Sequence, residues 1–255
     1  MFKFIICFIA GIGAGLGTGF AGMSAAAVIS PMLITFLGLP AYEAVGIALA
    51  SDVLASAISA YTYGKNKNLD VRNGAVMMAA VLLFTLVGSY VASLVPNTTM
   101  GNFSVFMTLL LGIKFIVKPV MTTKESMNAV SGRKRIIQSL ICGTGVGFIC
   151  GFIGAGGGMM MLLLLTSVLG YELKTAVGTS VFIMAFTAFT GAVSHFAIGG
   201  IPDLWCLIFC VASTLLWARI AAKFANKASA VTLNRATGVV LAVLGIAILS
   251  VNYLG

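Results

Sequence analysis

The chain has 255 residues, of which 60% are hydrophobic and only 8% charged, with a mean hydropathy of +1.11. An ordinary soluble domain is about 45–50% apolar and about 25% charged, so 15 basic and 6 acidic side chains cannot cover a water-facing surface here, and the apolar excess rules out disorder as well. The formal charge of +9 is not a nucleic-acid footprint, because the cations punctuate apolar runs instead of forming one solvated patch.

Apolar segments follow one another at 4–22, 23–37, 42–63, 73–95, 101–118, 136–154, 155–169, 174–197, 204–222 and 236–254. A hydrocarbon core about 30 Å thick takes about 20 helical residues, and most of the segments qualify. The pattern predicts an all-α polytopic protein, multi-pass in the cytoplasmic membrane. Segments 23–37 and 155–169 are only 15 residues each and open after glycine runs. At membrane depth such pieces are half-helices or re-entrant hairpins, tolerated where the backbone is buried in protein or lines a cavity. The five cysteines (Cys7, Cys142, Cys150, Cys206, Cys210) all lie inside apolar runs. They read as small buried hydrophobes rather than a disulfide framework. Cys206 and Cys210 share a helical face, but no His or acid joins them at ligand spacing, so no metal is expected.

The chain repeats itself. Displaced by 132 residues without a gap, Gly11, Gly13, Gly15, Gly19 and Gly22 fall on Gly143, Gly145, Gly147, Gly151 and Gly154. Phe20 falls on Phe152, Gly38 on Gly170, and Ala44-Val45-Gly46 on Ala176-Val177-Gly178. This defines a first repeat over 1–118, a basic linker over 119–135 and a second repeat over 136–255. Each holds a Gly-rich short or re-entrant segment followed by three transmembrane helices. The start of the chain could pass for a signal peptide, but its copy at 136–159 lies mid-chain, where no signal peptide belongs.

The copies differ in charge. Segment 64–72 carries Lys65, Lys67 and Arg72, whereas its counterpart 198–204 has no cation. Conversely, 96–101 has none, while its counterpart near 223–235 carries Lys223, Lys227 and Arg235. The stretch 118–135 adds Lys118, Lys124, Arg133, Lys134 and Arg135. Cytoplasmic loops collect Lys and Arg, so 64–72, 118–135 and 219–235 are expected inside, with 96–101, 198–204 and both termini outside. Equivalent loops then face opposite sides, which makes the repeats inverted.

Candidate chemistry centres on the glycine junctions. Gly154-Ala155-Gly156-Gly157-Gly158 precedes one short segment, and Gly22-Met23-Ser24 precedes the other. A half-helix start presents unpaired N–H groups and positive dipole, and two such ends meeting near the midplane would bind an anion. Helix packing through small residues is the alternative. Thr179 and Ser180 are hydroxyls placed to line the same cavity, or else to bond their own helix backbone. Asp52 is the one mid-span carboxylate, and an intramembrane acid is a functional hypothesis by default. It serves either in coupling to a proton or cation or in a structural hydrogen bond to Ser51, Ser56 or a neighbouring helix. Its repeat mate is Met184. His195 reads as an interfacial residue at a helix end, and Lys114, Lys118, Arg219 and Lys223 as snorkelling cations.

Two copies of G-x-x-x-G-F-x-G, each followed by a glycine-rich junction, a short apolar run, a Gly and an AVG, resemble the sulfite exporter TauE/SafE family, also called the TSUP permeases. They read GTGFAGMSAAAVISPMLITFLG…EAVG and GFICGFIGAGGGMMMLLLLTSVLG…TAVG. The resemblance covers essentially the whole chain and implies a carrier of small anions, often sulfur-containing. A glycine triplet and a following proline are usual in both halves of that family. Here the first half has Ser24-Ala25-Ala26 with Pro31, and the second keeps Gly156-Gly157-Gly158 but has Leu163 at the proline position. The expected activity is secondary transport, with a passive channel as the alternative. Without G-x-S-x-G, H-E-x-x-H or a nucleotide loop, an enzyme or an ATP-driven pump is not expected, nor is a cofactor.

Overall fold

The computed structural model describes residues 2–92, 113–128, 132–153 and 157–254. Among them the regular structure is helical: α1 (Phe2–Ala21), α2 (Ala26–Leu37), α3 (Ala41–Lys65), α4 (Val71–Ala92), α5 (Lys124–Asn128), α6 (Gly132–Ile153), α7 (Gly157–Ser167), α8 (Leu173–Gly199), α9 (Leu204–Lys227) and α10 (Ala230–Leu254). Five of these are long and apolar enough to cross a membrane. Large apolar side chains such as Leu86, Phe189, Ile208 and Val243 point outward, a surface that only lipid can cover in a stable monomer. The chain is a multi-pass membrane protein.

The short segments are short helices. α2 begins at Ala26, three residues into 23–37, because the chain first has to turn. Gly22 takes a left-handed φ of +59, and the amides of Gly22 and Met23 close on the carbonyls of Thr18 and Gly17. This is a left-handed (αL) helix ending, which favours glycine. α2 ends the same way at Gly38, at φ +63. The expected external segment 96–101 and most of 101–118 lie outside the described residues. Cys7, Cys142, Cys206 and Cys210 are buried free thiols, and Cys150 lies outside the described side chains.

Glycine sets the helix pairing. α1 lies along α9 with backbones in contact: a Cβ at Gly15 would stand 2.7 Å from the Thr214 carbonyl oxygen, and one at Gly19 would stand 2.7 Å from that of Ala218. α6 lies along α4 in the same manner, since a Cβ at Gly147 would be 2.5 Å from the Val81 carbonyl oxygen. A displacement of 132 residues carries α1 onto α6 and α4 onto α9, so each repeat gives its first helix to the other repeat's partner. α3 and its counterpart α8 pack against each other and run antiparallel. Gly46 meets His195 and Phe196 near one end, Gly191 meets Leu49, and Gly178 meets Tyr63 near the other.

Polar groups tie the two ends of this core. At one end Lys3 pairs with Asp203, and the Asp203 amide donates to Glu43 Oε1 at 2.7 Å. The Lys3 ammonium, followed by the amides of the first turn of α9, holds the Asp203 carboxyl below the usual carboxylate range. At the other end Asn68 Nδ2 donates to Asn226 Oδ1 (2.6 Å), Lys174 Nζ to the Asn226 carbonyl (3.0 Å) and Lys124 Nζ to the Lys67 carbonyl (3.0 Å). Segments 64–72, 219–235 and the described part of 118–135 thus converge on one end of α3, and 198–204 lies at the other.

Candidate functional site

The α2 half-helix starts beside the middle of α3. Ser24 Oγ accepts from the Ala26 amide at 3.3 Å and donates to Asp52 Oδ2 at 2.7 Å. Ser56, one turn further along α3, donates to Asp52 Oδ1 at 2.8 Å, and the Ala25 amide also bonds the carboxylate. Asp52 is 1% exposed. A carboxylate therefore occupies the N-terminus of α2, where orphan N–H groups and the helix dipole favour negative charge.

The second half-helix arrives at the same place. A Cβ on Gly158 would stand 2.5 Å from the Gly22 carbonyl oxygen and 3.0 Å from the Ser24 amide nitrogen. Ser180 Oγ lies between the two junctions, 3.2 Å from the Gly22 carbonyl and 3.4 Å from that of Gly158, and shares its single proton between them. The position equivalent to Asp52 is filled by Met184. Its sulfur would be 2.5 Å from a Cβ at Gly158 and is 3.7 Å from Ser180 Oγ. Each long central helix thus offers one side chain to its own half-helix start, an acid in the first repeat and a thioether in the second.

Of the residues singled out from the sequence, Gly22, Ser24, Gly158, Ser180 and Asp52 come together here. Gly157 opens α7 next to them, and Gly154 and Gly156 lie outside the described residues. Thr179 turns elsewhere: its Oγ1 accepts from the Asp70 amide at 3.2 Å and fastens the 66–70 segment to α8. Asp70 in turn accepts from Tyr171 Oη at 2.8 Å and from Asn73 Nδ2 at 2.7 Å. Burial, then the Asp70 bond, pushes the Tyr171 phenol up, so it stays a neutral donor. His195, near the end of α8, lines a small pocket with Glu43, Gly46, Phe196 and Pro202.

Sequence reading passed over Ser59 and Tyr63. They follow Asp52 and Ser56 on one face of α3 at helical spacing, a periodicity visible in 42–63. Among the described residues no group of three or more His, Cys, Asp or Glu is arranged to hold a metal.

A family model described as "Sulfite exporter TauE/SafE" matches residues 7–248. "Probable membrane transporter protein YdhB" of Bacillus subtilis is 22% identical over 235 residues, spanning 92% of this chain and 96% of that protein. "Probable membrane transporter protein YunE" of the same organism is 24% identical over 80% of this chain and 82% of its own. "Probable membrane transporter protein MJ0441" of Methanocaldococcus jannaschii is 28% identical over 75% of this chain and 70% of its own.

Proposed function

Because this chain belongs to the sulfite exporter TauE/SafE family, we propose that it is a secondary transporter of a small anion, sulfur-containing or organic, in the cytoplasmic membrane. The names of its relatives point to a membrane transporter rather than an enzyme. The antiparallel course of α3 and α8 and the exchanged pairing of α1 with α9 and α4 with α6 support inverted repeats.

One observation carries the reading of the site. Two half-helix starts meet, and among the described residues only one is supplied with a carboxylate of the protein's own. Asp52 satisfies α2, whereas α7 has Met184 at the matching position. An external anion is expected at the second start, against the amides of Gly157 and Gly158, with Ser180 and Ser24 beside it. Asp52 then acts as the coupling residue, taking up or releasing a proton or cation as the anion moves. The close contact of Gly158 with the Gly22 carbonyl supports a carrier, since a standing pore needs an open path there. Proteoliposomes offered sulfite, thiosulfate, sulfonates and carboxylates test this. Accumulation of one anion class against its gradient, abolished by an uncoupler, is expected; flux that never exceeds equilibration marks a channel instead.

A further inference from the structure

The Asp52 carboxylate stands at the head of a polar stripe that the coupling role alone does not explain. Asp52, Ser56, Ser59 and Tyr63 lie at i, i+4, i+7 and i+11 of α3, one face of a helix. All four are buried, Ser56, Ser59 and Tyr63 completely. The stripe runs one way only. Toward the Lys3–Asp203 end, the same face carries Ala48 and Ala44, both fully buried. Toward the basic end it carries hydroxyls over about 16 Å of axis.

The counterpart helix lacks it. The matching positions of α8 are Met184, Ala188, Gly191 and His195. A packing requirement imposed by the repeat would have left both helices alike, so the hydroxyls belong to something only the first repeat does.

Their bonding shows a broken chain. Ser56 donates to Asp52, and Tyr63 Oη donates to the Gly19 carbonyl at 2.8 Å. Between them Ser59 Oγ is buried with no hydrogen-bond partner. An orphaned buried hydroxyl is destabilising, and a bridging water relieves it where two or more polar partners are within reach. The Ser56 hydroxyl oxygen and the Tyr63 phenol each retain lone pairs for such a bond.

We propose that this face of α3 is a water-bridged proton path joining Asp52 to the basic end of the protein. The proposal rests on the coupling reading above and names the proton as the coupling ion. A hydronium from the basic side gives a proton to the water at Ser59. That water passes one to Ser56 Oγ, and Ser56 releases its own to Asp52 Oδ1. The water at Ser59 and Ser56 Oγ each lose one O–H bond and gain another, the hydronium is left as water and Asp52 as the carboxylic acid, and the reverse sequence returns the proton. The elements packed on α3 bring no competing charge to its middle. α1 has Lys3 at its far end and α2 has none; α8 has Lys174 and His195 near its ends; Arg219, Lys223 and Lys227 of α9 are exposed. The carboxylate is bonded by Ser24, Ser56 and the Ala25 amide.

Side-specific access tests the path without any substrate. In a cysteine-free background, Ser59→Cys and Ala48→Cys are exposed to Ag+ in sealed vesicles of either orientation, then denatured and alkylated with a maleimide. Ag+ applied from the basic side is expected to protect Ser59→Cys at least ten-fold, and to leave Ala48→Cys unprotected from both sides. Ser59→Cys that stays unprotected from the basic side, or is protected only from the other, overturns the path. A second comparison uses Ser59→Val and Ser59→Thr, which differ by one hydroxyl at the same shape, with sulfite as probe anion. Proton movement with sulfite should be at least ten-fold slower for Val than for Thr, and equal rates overturn the proposal. Asp52→Asn separates the two readings. Undiminished proton movement in that variant sinks the coupling role and the path with it, whereas a silent Asp52→Asn beside a fast Ser59→Val sinks the path alone.

Discussion

Ser24 Oγ donates to Asp52 Oδ2 at 2.7 Å while capping the start of α2 through the Ala26 amide. The only mid-span acid is thereby tied to the half-helix of its repeat, and a change of charge at Asp52 alters what the α2 N-terminus holds. An amide keeps the shape and one of the two acceptor oxygens but carries no titratable proton. Asp52→Asn is therefore expected to abolish anion accumulation driven by a pH gradient and to spare counterflow exchange at equal pH. Equal loss of both activities, measured in the same proteoliposomes, would mark the residue as structural.

The glycines divide by what stands beside them. At Gly15 and Gly147 an added methyl meets backbone atoms at 2.8 Å or less, so the helices must separate. At Gly145 nothing lies within 4 Å. Gly15→Ala and Gly147→Ala should each destabilise by about 1–3 kcal/mol, and Gly145→Ala should stabilise by about 0.5–1 kcal/mol. Gly13→Ala, facing the side-chain tips of Leu244 and Val28 at 3.1 and 3.2 Å, falls between. Thermal unfolding of the purified proteins orders the four.

Lys67 and Ile201 lie at opposite ends of the antiparallel α3 and α8, in the matched segments 64–72 and 198–204. Single-cysteine variants Lys67→Cys and Ile201→Cys should react with an impermeant maleimide from opposite faces of the membrane, Lys67→Cys from the cytoplasm. Labelling of both from one face would rule out the inverted arrangement.

Much of this was legible in the sequence because glycine records backbone contact. Gly11, Gly15 and Gly19 recur where α1 touches α9, and their copies Gly143 and Gly147 where α6 touches α4, so the duplication survives in the residues that cannot change. Asp52 announced itself by its price in lipid. Thr179 did not: its hydroxyl bonds the Asp70 amide 109 residues away, and nothing local distinguishes that use from lining a cavity. The Lys3–Asp203 and Tyr171–Asp70 ties were equally hidden, since each joins segments that only the tertiary fold brings together.

The Lys3–Asp203 pair gives the fold an acid-sensitive joint. Because the Asp203 carboxyl is held below its usual range by Lys3, its contribution is present above the ordinary carboxylate value of about 3.9 and is lost as pH falls through the lowered value. Side-chain exposures of 37% and 25% keep the pair below about 1 kcal/mol. Asp203→Asn, which retains an N-cap for α9, should lower the melting temperature slightly at pH 7 and flatten its fall between about pH 4 and 3. A parent and variant with parallel acid profiles would show that the pair adds nothing.

Met184 offers the most direct test of where the anion sits. It occupies the position of Asp52 in the second repeat, against Gly158 at the start of α7. A carboxylate placed there would do for α7 what Asp52 does for α2, filling the half-helix start with the protein's own charge. Met184→Asp should then exclude the substrate, at the loss of about one charge-assisted hydrogen bond of 1.5–3 kcal/mol, or roughly ten- to a hundred-fold in affinity. Met184→Leu conserves volume without charge and should bind like the parent, and Met184→Asn separates polarity from charge. Binding is measured on purified protein at matched folding, because a buried charge can also unfold the carrier. If folded Met184→Asp binds the anion as tightly as Met184→Leu, the α7 start is not its site, and the glycines there serve only to let Gly158 rest against the Gly22 carbonyl.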